Sequence, residues 1–265
     1  MIGQKAGIMK VVILAGGHGT RLSEETGIKP KPMVEIGGRP ILWHIMKIYA
    51  AYGLNDFVIC CGYKGEIIFQ YFANYFMHSS DVTFDLKDNT MEIHRSDMEP
   101  WRVTCLNTGL DTLTGGRIKR AIEFIGNETI CMTYGDGVCD VNVQDLIAFH
   151  RSQQTLATVT AVIPPGRYGV FNLEEDQHQV HNFREKQGRD NVYINGGFFV
   201  LEPGVTEYLK DDSTVWELGP LEVLAEAGQL SAFRHMGFWQ SMDTLADKHV
   251  LQTLWDNGSP PWKIW

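Results

Sequence analysis

The run Leu14-Ala15-Gly16-Gly17-His18-Gly19-Thr20-Arg21-Leu22 sets three glycines beside a threonine and an arginine. Glycines let the main chain approach a ligand closely, and their N–H groups can cradle phosphate oxygens. Three readings of the loop compete. A dinucleotide loop wants G-x-G-x-x-G opening a helix, but the sixth position here is Leu22, and a proline-bearing stretch to Pro32 delays the next helix. A P-loop would end in G-K-[ST], which this run does not. There remains a loop for a nucleoside triphosphate, with Arg21 beside it and Lys29 and Lys31 further on; the alternative is a purely structural turn.

Other residues could join such chemistry, and each has a plainer reading. Asp136 follows the apolar run ICMTY, and open α/β sheets bind ligands outside the carboxyl ends of their strands. A lone aspartate there also serves as a turn residue or helix cap. Lys31, between two prolines, reads alone as a solvated loop lysine, Glu185-Lys186 as an exposed ion pair, and Asn195-Gly196-Gly197 as a tight turn. His178 and His181 form an H-x-x-H pair in a polar, turn-like segment with no third ligand, so they read as solvated. Phe238, Trp239, Trp255, Trp262 and Trp265 are expected in the core and at subunit contacts rather than as a base-stacking platform.

Positioning these groups requires a scaffold, and the apolar pattern supplies one. Lys10–Leu14, Asp56–Cys61, Ile130–Tyr134 and Ala157–Val162 read as buried strands. Helices are predicted from Pro40 to about Tyr52, with Gly53 ending it, from Lys64 to Phe76, and across Asp145–Ser152. Strands alternating with helices imply a sheet covered on both faces. Val82–Asn107 holds three alternating segments, VTFDL, TMEIH and VTCLN, expected as a small antiparallel insertion, and Tyr168–Val200 is also strand-rich. The expected fold class is α/β, a Rossmann-like doubly wound, mixed but mainly parallel sheet.

Composition excludes other classes. The 265 residues hold 23 Lys and Arg against 32 Asp and Glu, a net charge of −9, where a general nucleic-acid binder carries a basic surplus. With 44% hydrophobic and 21% charged residues the chain is neither disordered nor coiled-coil. No apolar run is long enough to span a bilayer, so no membrane partner is expected. The 5 cysteines, two adjacent and none in C-x-x-C, read as buried free thiols of a soluble, cytoplasmic protein. Residues 1–8 are expected as a leader or tag-like extension, and 9–265 as a single domain.

Gly16–Leu22 followed by Lys29-Pro30-Lys31-Pro32-Met33 resembles the opening motif of the sugar-1-phosphate nucleotidyltransferases. Later segments resemble that family in order: Tyr134-Gly135-Asp136, Phe183-Arg184-Glu185-Lys186, Ile194-Asn195-Gly196-Gly197-Phe198 and Gly237–Thr244. Gln187 departs from the proline more usual after Glu-Lys, which bears on loop rigidity. The stretches Glu99-Pro100-Trp101, Asn107-Thr108-Gly109, Thr114-Gly115-Gly116-Arg117 and Pro261-Trp262-Lys263 are similar to members using CTP and glucose 1-phosphate.

The resemblance implies that a sugar phosphate attacks the α-phosphorus of CTP, releasing pyrophosphate, as a first step towards CDP-linked deoxysugars of surface polysaccharide. It implies Arg21 and Lys31 as catalytic cations and Asp136 with Asp243 as ligands of Mg²⁺. Nucleotide contacts are implied for Leu14, Ala15, Gly16 and Gly17, and for Gly19, Thr20, Arg21 and Lys31. Thr112, Arg117 and Gly135 complete them. Glu185, Lys186, Asn195 and Gly196 are implied on the sugar phosphate. A homo-oligomer is implied, a hexamer among its forms. A uridylyl- or thymidylyltransferase, or a non-catalytic nucleotide-binding regulatory subunit, are the alternatives.

Overall fold

Each strand predicted from a buried run is present in the computed structural model, which describes residues 9–96, 98–164, 170–172, 181–184 and 193–265. The chain opens with β1 (Val11–Ala15), the glycine loop, α1 (Ser23–Thr26) and a 3-10 turn over Lys31–Met33. A small hairpin, β2 (Glu35–Ile36) and β3 (Arg39–Pro40), leads into α2 (Ile41–Ala51) and β4 (Asp56–Cys61). Then come α3 (Gly65–Ala73), α4 (Tyr75–His78), β5 (Ser80–Asp85), β6 (Thr90–Ser96) and β7 (Arg102–Asn107). Next are α5 (Thr114–Ile125), β8 (Ile130–Tyr134), β9 (Gly137–Cys139), α6 (Val143–Gln153) and β10 (Ala157–Val162). After β11 (Val170–Asn172), β12 (His181–Arg184) and β13 (Ile194–Leu201) the chain ends with α7 (Pro220–Glu226), β14 (Leu230–His235), β15 (Trp239–Ser241) and α8 (Leu245–Asp256).

Seven strands form one sheet in the order β14-β10-β13-β8-β1-β4-β7. All neighbours are parallel except β13, which runs antiparallel to both β8 and β10. Successive side chains of a strand face opposite ways, so β1 feeds two cores. Val11 and Ile13 pack with Ile45 of α2, Leu146 of α6 and Leu251 of α8; Val12 and Leu14 pack with Ile118 of α5 and Leu224 of α7. This is the doubly wound, mainly parallel arrangement the sequence predicts.

Three expectations change. The VTCLN segment is not part of the antiparallel insertion: as β7 it pairs in parallel with β4 and forms the edge of the main sheet. A half-buried edge strand alternates like a ribbon, so its pattern does not reveal its partner. The insertion reduces to the β5–β6 hairpin. The helix predicted over 64–76 breaks at Asn74, whose side chain donates to the Gln70 carbonyl at 2.9 Å and competes with the helical ladder.

The five cysteines are free, four of them buried. Trp262 is buried in the core, with Phe238, Trp255 and Trp265 packed against that core, as expected. Among the described residues no helix is long and apolar enough to cross a membrane. The expected leader, His178, Glu185, Lys186 and Gln187 lie outside the described residues.

Candidate active site

Parallel strands leave their carboxyl ends together, and here those ends open into a cleft of about 690 Å³. The glycine loop follows β1, Gly135 and Asp136 follow β8, and Leu110 to Thr114 follow β7. Because β13 is antiparallel, its beginning lies at the same end, which brings Asn195 and Gly196 into the wall. Every described candidate lines this cleft: Leu14 to Gly17, Gly19 to Arg21, Lys31, Thr112, Arg117, Gly135, Asp136, Asn195, Gly196 and Asp243.

Asp136 and Asp243, far apart in sequence, meet through a short ladder. β9 pairs antiparallel with β15, placing Gly137 opposite Ser241, and Met242 N–H donates to the Asp136 carbonyl at 2.8 Å. The backbone of Asp243 is fixed at the start of α8, where the Asp247 carboxylate accepts from the N–H groups of Asp243 and Thr244 at 3.1 and 2.9 Å. Between the two aspartates sits Lys31, its Nζ 2.5 Å from Asp136 Oδ2 and 2.8 Å from Asp243 Oδ1. Arg21, exposed at the rim, adds a contact to the same Asp243 oxygen at 3.1 Å, and the Ser241 hydroxyl donates to the other at 3.0 Å.

The electrostatics follow from this geometry. Burial works against the Lys31 ammonium, but Asp136 and Asp243 outweigh it and raise its pKa. Burial likewise pushes the Asp243 carboxyl up, and Lys31, Ser241 and Arg21 reverse that, holding it below the usual carboxylate range. Lys31 is therefore charged at neutral pH and far from a solvated loop lysine.

Arg117 lines the cleft, and its guanidinium is held by the protein itself. Its Nη1 is directed at Cys61 O, Thr108 Oγ1 and Gly109 O at 3.1, 2.5 and 2.9 Å. Its Nη2 is directed at Gly16 O and Leu110 O at 3.1 and 3.3 Å. The terminal N–H groups are thus engaged by the protein itself, and the side chain braces the glycine loop against the loop after β7. Glycine at 16 is demanded by this brace: a Cβ there would lie 2.2 Å from the guanidinium carbon. Gly17, by contrast, has open space where a Cβ would point, and its backbone is free to meet a ligand.

Two cleft residues carry functional geometry that their local pattern did not disclose. Trp239, expected in the core, also lines the cleft, and its indole N–H donates to Gly196 O at 2.7 Å. Glu217, not singled out from sequence, lines the cleft beside the fully buried Trp216. Its anchor is visible only once the chain is folded.

Residues 10–227 match the family described as Nucleotidyl transferase. The glucose-1-phosphate cytidylyltransferase of Salmonella typhi is 55% identical over 258 residues, covering 97% of this chain and 100% of that protein. Among solved structures, the UDP-glucose pyrophosphorylase from Acinetobacter baumanii superposes with a TM-score of 0.69 at 16% identity, covering 97% of this chain and 96% of that one. HddC from Yersinia pseudotuberculosis does so with a TM-score of 0.67 at 24% identity, covering 93% and 99%. At those identities the two structures bear on the fold alone, and they bear out the Rossmann-like arrangement.

Proposed function

This chain belongs to the nucleotidyl transferase family, and we propose that it transfers the cytidylyl group of CTP to α-D-glucose 1-phosphate, forming CDP-glucose and pyrophosphate. The observation that carries the reading is the Lys31 ammonium bridging Asp136 and Asp243 beneath a glycine loop. The choice of base and sugar follows the Salmonella typhi relative, which matches over nearly the whole chain.

The chemistry needs alignment and charge neutralisation more than a base. A phosphate monoester has its second pKa near ~6, so the nucleophilic oxygen is already ionised at neutral pH. That oxygen forms a bond to the α-phosphorus while the bond from the α-phosphorus to the pyrophosphate oxygen breaks. Lys31 and Arg21 face the charge that builds at the reacting centre, and the open backbone at Gly17 supports close approach of the phosphates.

Asp136 and Asp243 would hold Mg²⁺. Their hard oxygen donors suit that ion, and they already converge on a cation, the Lys31 ammonium. When bound, the metal neutralises charge on the α-phosphate and the leaving group. On this reading Thr112 lies against the nucleotide, Arg117 acts through the loops it braces, and Asn195, Gly196, Glu185 and Lys186 serve the sugar phosphate. Residues 9–265 then act as one domain of a cytoplasmic homo-oligomer, a hexamer by family resemblance, which sedimentation tests.

Pyrophosphate release with glucose 1-phosphate and Mg²⁺, run in parallel with CTP, UTP and dTTP, tests the function. CTP is expected to turn over fastest. Release with none of the three overturns the enzymatic reading, and faster turnover with UTP or dTTP overturns the base assignment.

A further inference from the structure

Glu217 has no part in the chemistry above, yet its carboxylate sits at a junction in the cleft wall. Its Oε2 accepts from the Thr114 hydroxyl at 2.7 Å, and Thr114 Oγ1 in turn accepts from Trp216 N–H at 2.9 Å. Its Oε1 accepts from the Tyr134 hydroxyl. A hydroxyl has one proton, so once Tyr134 donates to Glu217 its oxygen can only accept. The group that donates to it is Asn195 Nδ2, at 3.2 Å.

The other end of that amide is fixed as well. Asn195 Oδ1 accepts from Gly197 N–H at 2.8 Å. Turning the amide over would set a donor against the Gly197 N–H and an acceptor against an oxygen whose proton is committed to Glu217. The order Thr114–Glu217–Tyr134–Asn195 therefore dictates which way the amide faces. One N–H of Nδ2 is left over, on a residue that is exposed and lines the cleft.

We propose that Glu217 is a positioning residue: through Tyr134 it orients the Asn195 amide so that one N–H is presented to a hydroxyl oxygen of the hexose 1-phosphate. The proposal rests on the sugar-phosphate reading given above. Each oxygen of Glu217 accepts from a protein hydroxyl, which ties its carboxylate to Thr114 and Tyr134. The relay ends at Thr114, the first residue of α5, so the wall after β7 and the start of β13 are held by one chain of hydrogen bonds.

Steady-state kinetics of the full-length protein test this with Tyr134→Phe, Glu217→Gln and the double variant. Tyr134→Phe keeps the ring that packs over Gly197, so it preserves the fold most safely. Each single change is expected to raise KM for glucose 1-phosphate roughly tenfold, while KM for CTP stays within about twofold. The double variant should be no worse than the poorer single one, because the residues act as a unit. Wild type should discriminate against one deoxy analogue of glucose 1-phosphate, and the relay variants should lose that discrimination.

An unchanged KM for the sugar phosphate, or an equal rise for CTP, overturns the proposal; so does additivity in the double variant. Those outcomes leave the transferase reading intact, because they are measured against an active wild type. A wild type that releases no pyrophosphate removes that reading, and this proposal with it.

Discussion

Two buried cations flank the glycine loop, and they work in opposite ways. Lys31 and Arg117 are similarly shielded, 8% and 4% exposed. Arg117 is ringed by neutral oxygens, four of them main-chain carbonyls, so its donors are used while its charge is left uncancelled. Lys31 is held by two carboxylates, so its charge is more than cancelled by partners that a metal or a polyanion can take from it. On the transferase reading proposed above, one cation would act on a ligand by its field through the loop it holds, and the other would be set for direct contact. A count of positive residues near a cleft does not separate these roles, but the identity of their acceptors does.

The sharpest way to break the contrast is to remove the brace. Arg117→Ala empties the space of a buried side chain and takes the donor from Thr108 Oγ1, Gly109 O and Leu110 O, while Cys61 O and Gly16 O keep the N–H groups of Thr108 and Tyr63; a stability loss of about 2–4 kcal/mol is expected in urea unfolding. A loss well under about 1 kcal/mol would show the brace to be idle. Arg117→Lys restores charge without the fork and should recover little of that stability. Lys31→Ala should do the reverse: kcat falls by roughly 10²–10³, as for a lost oxyanion contact, while unfolding remains cooperative. An unchanged rate would remove Lys31 from the mechanism.

Acid titration sharpens the comparison further. Asp243 is held below the usual carboxylate range, so its stabilisation is present above the pKa of an unfolded aspartate and is lost as pH falls through the lower folded value. Asp243→Asn should therefore flatten the acid limb of stability and weaken the Mg²⁺ dependence of turnover. Arg117→Ala should keep the wild-type slope on that limb, because its acceptors do not titrate. An identical metal titration in Asp243→Asn would break the two-aspartate reading.

The smallest effects concern adjacent glycines. Gly16→Ala drives a methyl into the Arg117 guanidinium and should cost about 1–3 kcal/mol. Gly17→Ala meets nothing and should stay within about 0.5 kcal/mol, with a raised KM for CTP as its only mark. Equal stabilities would detach Gly16 from the brace.

Legibility in the sequence followed the range of the interaction. Asp56–Cys61, Ile130–Tyr134 and Ala157–Val162 form strands at the predicted bounds, because a strand buried on both faces is an apolar run closed by turns. Pro40 and Gly53 delimit α2 by backbone chemistry that needs no partner. The partner of β7 was not legible, since alternation names a face and not a neighbour. At the site, the glycine loop and Asp136 stood out as motif and strand end, whereas the meeting of Asp136 with Asp243 needed the β9–β15 ladder. The role of Arg117 was hidden because most of its acceptors are carbonyls, which every residue has. Glu217 was hidden because its hydrogen-bonded partners come from elements remote in sequence.

The two prolines around Lys31 carry a consequence for the unfolded chain. Pro30 is fixed near φ −68°, and Pro32 lies within the 3-10 turn closed by Met33 N–H to Pro30 O at 2.8 Å and Val34 N–H to Lys31 O at 3.1 Å. Proline restricts the disordered ensemble, so this segment has less conformational entropy to lose on folding than its neighbours. The main chain that carries the lysine is thereby held by the turn itself rather than by its ion pairs. Those pairs can be exchanged for a ligand without the segment coming loose, and the site can change partners at little entropic cost.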